Sequence, residues 1–389
     1  MKQMGGVGLL VFAIACANGN EAPATLTPGA VLPRLNALQA AEFNKGLKDF
    51  LDVATLATGL GPVYNEKSCA ACHTGPGTAV GGTNDRMVTR FGRWENGQFD
   101  PLTAQGGTLL HDHAIGGPCA FAAPTVPPEA NIVVHRRTPA LFGLGLVDAL
   151  PDETLRQLAR DEHARDETTA GTVSTTFDIA TGAAVVAKFG WKAQQSSITQ
   201  FVGDAYVNEM GITNPLFPKE TCPNGDCSLL GCNPAPAMNE DVEDLQDLTD
   251  FIDYLAPVQW LPQGDLEQHG AGVAKSIGCF DCHTQTLVAG DDDVVTIAHM
   301  TFHPYSDFLL HDMGSLGDGI PQGAAGPTQM RTQPLWGLRF AQHLLHDGRT
   351  TDVGEAILAH DGQGKKARDK FANLSPSDRD ALLAFLKTL

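Results

Sequence analysis

Two C-x-x-C-H motifs constrain this chain more than anything else in it: Cys69-Ala70-Ala71-Cys72-His73 and Cys279-Phe280-Asp281-Cys282-His283. At that spacing the two cysteines lie about one helical turn apart on one face, and the histidine follows at once. The pattern suits covalent attachment of a c-type haem. Two thioethers fix the porphyrin vinyl groups and the imidazole meets the iron from the proximal side. With 9 cysteines and 13 histidines in 389 residues, chance supplies about 0.007 such motifs. Structural zinc wants four ligands, commonly as two C-x-x-C pairs, whereas each pair here is closed by a histidine. The sequence therefore predicts two covalently attached c-type haems, held by Cys69, Cys72, Cys279 and Cys282, with His73 and His283 as iron ligands.

The motifs lie 210 residues apart and their surroundings repeat. Apolar residues at helical spacing precede each one: Phe43, Leu47, Phe50, Leu51 and Ala54 in the first case, Leu266, Gly270, Val273, Ala274 and Ile277 in the second. Arg137-Thr138-Pro139-Ala140-Leu141-Phe142-Gly143-Leu144 follows the first, and Arg331-Thr332-Gln333-Pro334-Leu335-Trp336-Gly337-Leu338 the second. Each half closes on a helical pattern, Asp244 to Leu255 and Asp378 to Leu389, the latter with Ser375 as N-cap and Pro376 at the first helical position. Internal duplication of a small helical haem-binding domain explains these landmarks. From Leu141 to Phe251 is 110 residues but from Leu335 to Phe385 only 50, so the first half carries an insertion of about 60. The expected fold is mainly α, with two cytochrome-c-like haem domains, residues 18–260 and 261–389, joined near Ala256–Gly264. The 42 glycines and 24 prolines imply long loops around that frame.

Residues 1–17 read as an export leader: Lys2, an apolar run from Gly5 to Ala17, and Ala13-Ile14-Ala15 before Cys16. The run is too short to span a bilayer, and Cys16 is placed for lipid attachment. The expected location is the periplasm or its membrane surface, with membrane contact only through that anchor. Cys119, Cys222, Cys227 and Cys232 remain, an even number suited to disulfides in an oxidising compartment, with the pairing open. A net charge of −19 opposes nucleic-acid binding and suits a basic partner such as a small redox protein.

Function turns on the distal ligands: an iron bound on both faces shuttles electrons, and one with an open face can react. For the second haem the candidates are His311, Met313, Met330, His343, His346 and His360. His360 is favoured, following the helical run Glu355-Ala356-Ile357-Leu358-Ala359 after the His346-Asp347-Gly348-Arg349 turn. For the first, His111, His113 and His135 are candidates by chemistry alone.

These motifs resemble the di-haem c-type oxidoreductase (thiol-oxidoreductase-like) family, related to bacterial di-haem cytochrome c peroxidases and the MauG group. The resemblance spans roughly Ala40 to Leu389. It rests on both C-x-x-C-H sites, the Arg137–Leu146 segment, Phe189-Gly190-Trp191-Lys192, Gly211–Pro218, Asp307–Gly314 and Leu345–Arg349. It implies two cytochrome-c-like lobes with haems facing a shared interface, one taking electrons and the other cleaving peroxide. The second haem's distal ligand in those relatives is usually Met or Tyr, at the position corresponding to His360; two histidines would lower its potential. Asp148 or Glu153 stands where the peroxidases place Gln and Glu, and Asp148 is the candidate catalytic proton shuttle. Trp191 could bridge the haems or simply pack between them. Calcium, found between the lobes of some relatives, is not indicated, since Asp291-Asp292-Asp293 reads as a solvated acidic turn.

Two readings follow. One is an exported peroxidase-like oxidoreductase with a reactive haem on His73 and an electron-relay haem on His283 and His360. The alternative is a non-enzymatic carrier with both irons six-coordinate. A third idea, thiol chemistry at Cys222–Cys232, lacks C-x-x-C spacing.

Overall fold

A computed structural model describes residues 21–75, 79–236 and 238–389; the leader and Cys16 lie outside them. Helices are the main regular structure and the strands are short. The helices are α1 (Ala37–Leu51), α2 (Leu144–Asp148), α3 (Asp152–Arg165), α4 (Ile198–Ala205), α5 (Val242–Asp253), α6 (Asp265–Ile277), α7 (Val353–Leu358), α8 (Lys365–Ala372) and α9 (Pro376–Leu386).

Local chemistry sets their ends. The Asn36 side chain accepts from the Leu38 and Gln39 amides while Gln39 reaches back, and Asp241 and Asp244 do the same at α5. Ser375 caps α9 ahead of Pro376, as the sequence predicts. The apolar stripes are narrower than the sequence suggests. Leu51 and Leu266 are exposed, and Ala54 lies beyond the end of α1.

The same helix pair recurs in both halves, α1 crossing α5 and α6 crossing α9, and in each a glycine sits at the crossing. A Cβ on Gly46 would overlap the Asp247 carbonyl and the Phe251 side chain; one on Gly270 would overlap the Ala381 carbonyl and Phe385. Phe251 then packs on Phe43 and Phe50 with ring centroids 5.3 and 4.8 Å away. Each such buried ring contributes roughly 1.5–3 kcal/mol. The duplicated Leu-Phe-Gly and Leu-Trp-Gly turns also face one another. Gly143 and Gly337 are both left-handed (φ 76°), and each lies under the aromatic ring beside the other, Trp336 and Phe142 respectively. Only glycine combines that φ with that approach.

Strands unforeseen in the sequence fill the connection between the first motif and Arg137. Met87–Glu95 pairs antiparallel with both Gln98–Asp100 and Ile132–Arg137. Ser174–Phe177 and Ala184–Ala187 form a hairpin within the insertion, and Leu310–Asp312 pairs with Gln329–Arg331. The larger apolar core surrounds Phe50, Leu146 and Phe251 and takes in Phe302, Phe308 and Trp336 from the second half. A smaller one gathers Ile277, Tyr305, Phe371 and Phe385. The open pairing resolves into two disulfides, Cys119–Cys232 and Cys222–Cys227. Among the described residues no helix is long and apolar enough to cross a membrane.

Candidate functional site

Both motifs adopt one backbone. Cys69–Ala71 and Cys279–Asp281 each form a single tight turn, closed by Cys72 (φ −107°, ψ −36°) and Cys282 (φ −110°, ψ −41°). The His73 and His283 amides donate to the Cys69 and Cys279 carbonyls at 2.9 and 3.0 Å. Ser68 caps the first turn, and Asn84 donates to the Ala71 carbonyl at 2.8 Å. Among the described cysteines these four alone are unpaired. Burial raises the Cys69, Cys72 and Cys279 thiols to about 12, so they are not thiolates at neutral pH.

The second motif opens on a cavity of about 310 Å³ lined by Cys279, Cys282, His283, Met330 and His360 among others. His283 Nδ1 lies 2.9 Å from the Tyr305 carbonyl, and His360 Nδ1 2.9 Å from the Ala356 carbonyl. Each carbonyl fixes the tautomer with the proton on Nδ1, leaving Nε2 as a lone-pair donor. Burial pulls His283 down to about 4 and His360 below its ordinary value, so both are neutral and ligand-competent. Two half-buried, backbone-anchored imidazoles and two cysteines around one largely apolar space fit a covalently held haem.

Other candidates fare differently. His311 is engaged on both nitrogens, by Asp307 Oδ2 at 2.9 Å and Cys282 Sγ at 3.6 Å. Burial opposes its charge, but the Asp307 carboxylate wins and raises it well above its usual value. His343 is likewise held by Gly348 and Asp85. Met313, Met330 and His346 line the cavity without an anchor of the kind that holds His360.

At the first motif His73 is half-buried, 6.5 Å from the Phe50 ring, and desolvation of the ring brings it down to about 4 against the pull of the Pro139 carbonyl. Its Nδ1 makes no well-formed hydrogen bond among the described residues. His113 and His135 are exposed, whereas His111 is buried with Nε2 unpartnered among the described residues. Asp148 accepts from the Ile198 amide at 3.2 Å, and its own carbonyl accepts from Lys188 Nζ. Burial raises its carboxyl to about 6, against the charge of Lys188. None of these partners belongs to the first motif. Asp152 accepts from the Val186 amide and Glu153 pairs with Arg160, both as acids at the start of a helix. Asp292 caps its own turn through the Val294 amide.

One residue, Glu162, escapes the sequence, as do the contacts of Trp191, which the sequence singles out. Glu162 of α3 is buried beside Asp307 and His311, and burial lifts its carboxyl to about 8. No local pattern announces it. Trp191 lines the second cavity, donates Nε1–H to the Arg137 carbonyl at 2.8 Å and meets His346 edge-on at 6.2 Å. The repeated Arg-Thr signature pointed to Arg137, though not to this contact.

Residues 129–389 match the family model described as "Di-haem oxidoreductase, putative peroxidase"; the second motif lies inside that span and the first upstream of it. No curated protein matches. Among solved structures, hydrazine synthase from Kuenenia stuttgartiensis aligns at 14% identity over 100% of both chains, with a TM-score of 0.44. A MauG-like protein associated with microbial copper homeostasis aligns at 13% identity over 94% of this chain and 93% of its own, TM-score 0.42. The diheme peroxidase BthA from Burkholderia thailandensis aligns at 16% over 94% and 89%, TM-score 0.42.

Proposed function

This chain belongs to the di-haem oxidoreductase family, and from that premise we propose an exported, peroxidase-like enzyme carrying two covalent c-type haems. The His73 site is its reactive centre and the His283/His360 site its electron relay. The carrying observation is the pair of anchored imidazoles, His283 and His360, facing one cavity with Cys279 and Cys282. When bound, haem supplies one-electron redox chemistry and, on an iron with a free face, a place for peroxide to be reduced.

The chain's own contributions are more specific. The carbonyls of Tyr305 and Ala356 hold both imidazoles in the ligating tautomer. Leu335, Leu338 and Ile357 give the second site apolar walls. Trp191 stands at the wall of that site facing the first half. Reduction of peroxide to water consumes two electrons and two protons, and Asp148, with its carboxyl near 6, is the proposed proton-holding group. In this reading residues 18–260 and 261–389 form the two haem domains, and a basic redox protein delivers electrons. The leader places the chain in the periplasm or, through Cys16, on a membrane surface.

The test is purification after maturation in a haem-loading compartment. Two haems by intact mass and a high-spin ferric EPR signal at the His73 site, with peroxide-dependent turnover, support the enzyme. Two low-spin signals without response to peroxide leave the carrier. A colourless protein of bare polypeptide mass removes both.

A further inference from the structure

We propose that Arg137 is the carboxylate-binding residue of the second haem pocket, receiving a haem propionate from the first half of the chain. The inference rests on the haem reading above. Arg137 ends the strand Ile132–Arg137, and its backbone amide donates to the His346 carbonyl at 2.7 Å. Its Nε donates to the Leu345 carbonyl at 2.8 Å, and the guanidinium lies 5.5 Å from the Trp191 ring centroid. The side chain is thus held in place across the joint between halves, lining the wall of the large cavity.

What it lacks is an anion. No carboxylate pairs with Arg137 among the described residues, and burial alone lowers its pKa, to about 10, leaving it charged at neutral pH. Arg137 is half-buried and its Nε already has a carbonyl partner, but a cation withdrawn from water without a counter-charge is costly, and a carboxylate entering the cavity would supply one.

The other cations around the cavity are otherwise engaged. Arg331 donates to the Gly190 carbonyl and Gln333 Oε1 and lies in the field of Asp307. Lys366 pairs with Asp166 at 2.9 Å, and Arg368 with Asp361 and Asp369. Lys370 is exposed and donates to the Ser276 carbonyl. Haem brings carboxylates in its propionates, and a planar guanidinium matches a carboxylate in two parallel hydrogen bonds. Arg137 also borders the small cavity of about 80 Å³ beside Gly75, Thr83 and Pro139, so the same residue stands between the two motifs.

The experiment is an equilibrium redox titration of the loaded protein, following the low-spin ferric EPR signal of the second haem in wild type, R137Q and R137K. Removing the cation leaves a propionate charge uncompensated and favours the ferric state. At an effective dielectric near 20, one charge at haem-edge range shifts that equilibrium about tenfold, or about 59 mV to lower potential. R137Q is expected to show this shift and R137K to retain most of the wild-type potential. An unmoved R137Q overturns the proposal, and equal shifts in both variants also overturn it by pointing to geometry rather than charge. Failure of wild type to carry haem at all sinks the cofactor reading and this inference with it, a result that intact mass separates from the others.

Discussion

His360 and Glu162 show how the identity of one side chain is decided by its hydrogen-bond partner. His360 is one of several residues that could reach the second site, but its Nδ1 is tied to the Ala356 carbonyl one helical turn back. That leaves Nε2 as the only free lone pair. H360A is expected to convert the second haem's low-spin ferric spectrum to high spin without changing haem content; an unaltered low-spin signal would reassign the ligand. Glu162 is decided by what it lacks. Oε2 accepts from the Gly171 amide at 2.9 Å, while Oε1 has no partner among the described residues. Burial first, and the neighbouring Asp307 charge second, raise its pKa from 4.5 to about 8. Between those two values the folded chain holds a proton that the unfolded chain has released. This group's contribution therefore falls as pH rises through that window. E162Q should lose less stability than wild type between pH 5 and 8, by on the order of a few kcal/mol. Thermal melts across that range check it, and parallel curves would refute it.

At the level of elements, the two glycine crossings give a contrast within a single helix. In α6, Gly270 lies against the Ala381 carbonyl, whereas a Cβ on Gly272 meets nothing within 4 Å. Alanine gains up to about 1 kcal/mol over glycine in a helix. Forcing α6 and α9 apart costs roughly 1–3 kcal/mol, because the obstructing atoms are backbone. G272A should therefore raise the melting temperature and G270A lower it; a rise in both would mean that the crossing is not tight. The crossing also marks how far the sequence could be read. The C-x-x-C-H turns, the Ser375–Pro376 start of α9 and the helix before His360 were legible because each is settled by residues within a turn or two. Gly270 appeared only as one apolar position among others, since its constraint comes from Ala381, more than a hundred residues away. The same distance hid the strand Ile132–Arg137, whose partner is Met87–Glu95, and the choice of Cys232 for Cys119. Asp148 was legible as a carboxylate near the Thr-Pro segment, but Ile198 and Lys188, which now engage it, lie 40 or more residues on.

Across the whole molecule the sequence repeat suggests two separable units, while the packing joins them. Phe302, Phe308 and Trp336 of the second half are buried in the core built around Phe50 and Phe251. Asp318, its side chain fully buried, is neutralised from the first half by Arg136 at 2.6 Å and Lys192 at 3.0 Å. Lys192 also donates to the Gly326, Pro327 and Gln329 carbonyls, fixing that loop from outside its own half. The Ala22 amide, in the first half, donates to the Thr301 carbonyl of the second at 2.7 Å. Removing the partner of a buried charge costs about 3–5 kcal/mol, a large share of the 5–15 kcal/mol that holds a typical domain together. Residues 261–389 produced alone should therefore keep helical signal from α6 and α9, which pack on each other, yet melt broadly and self-associate through the uncovered Phe302, Phe308 and Trp336. Supplying residues 21–260 in trans should restore a single sharp transition. A fragment that melts cooperatively as a monomer would show that the shared core and the Asp318 pairs are dispensable, and that the duplicated halves are independent after all.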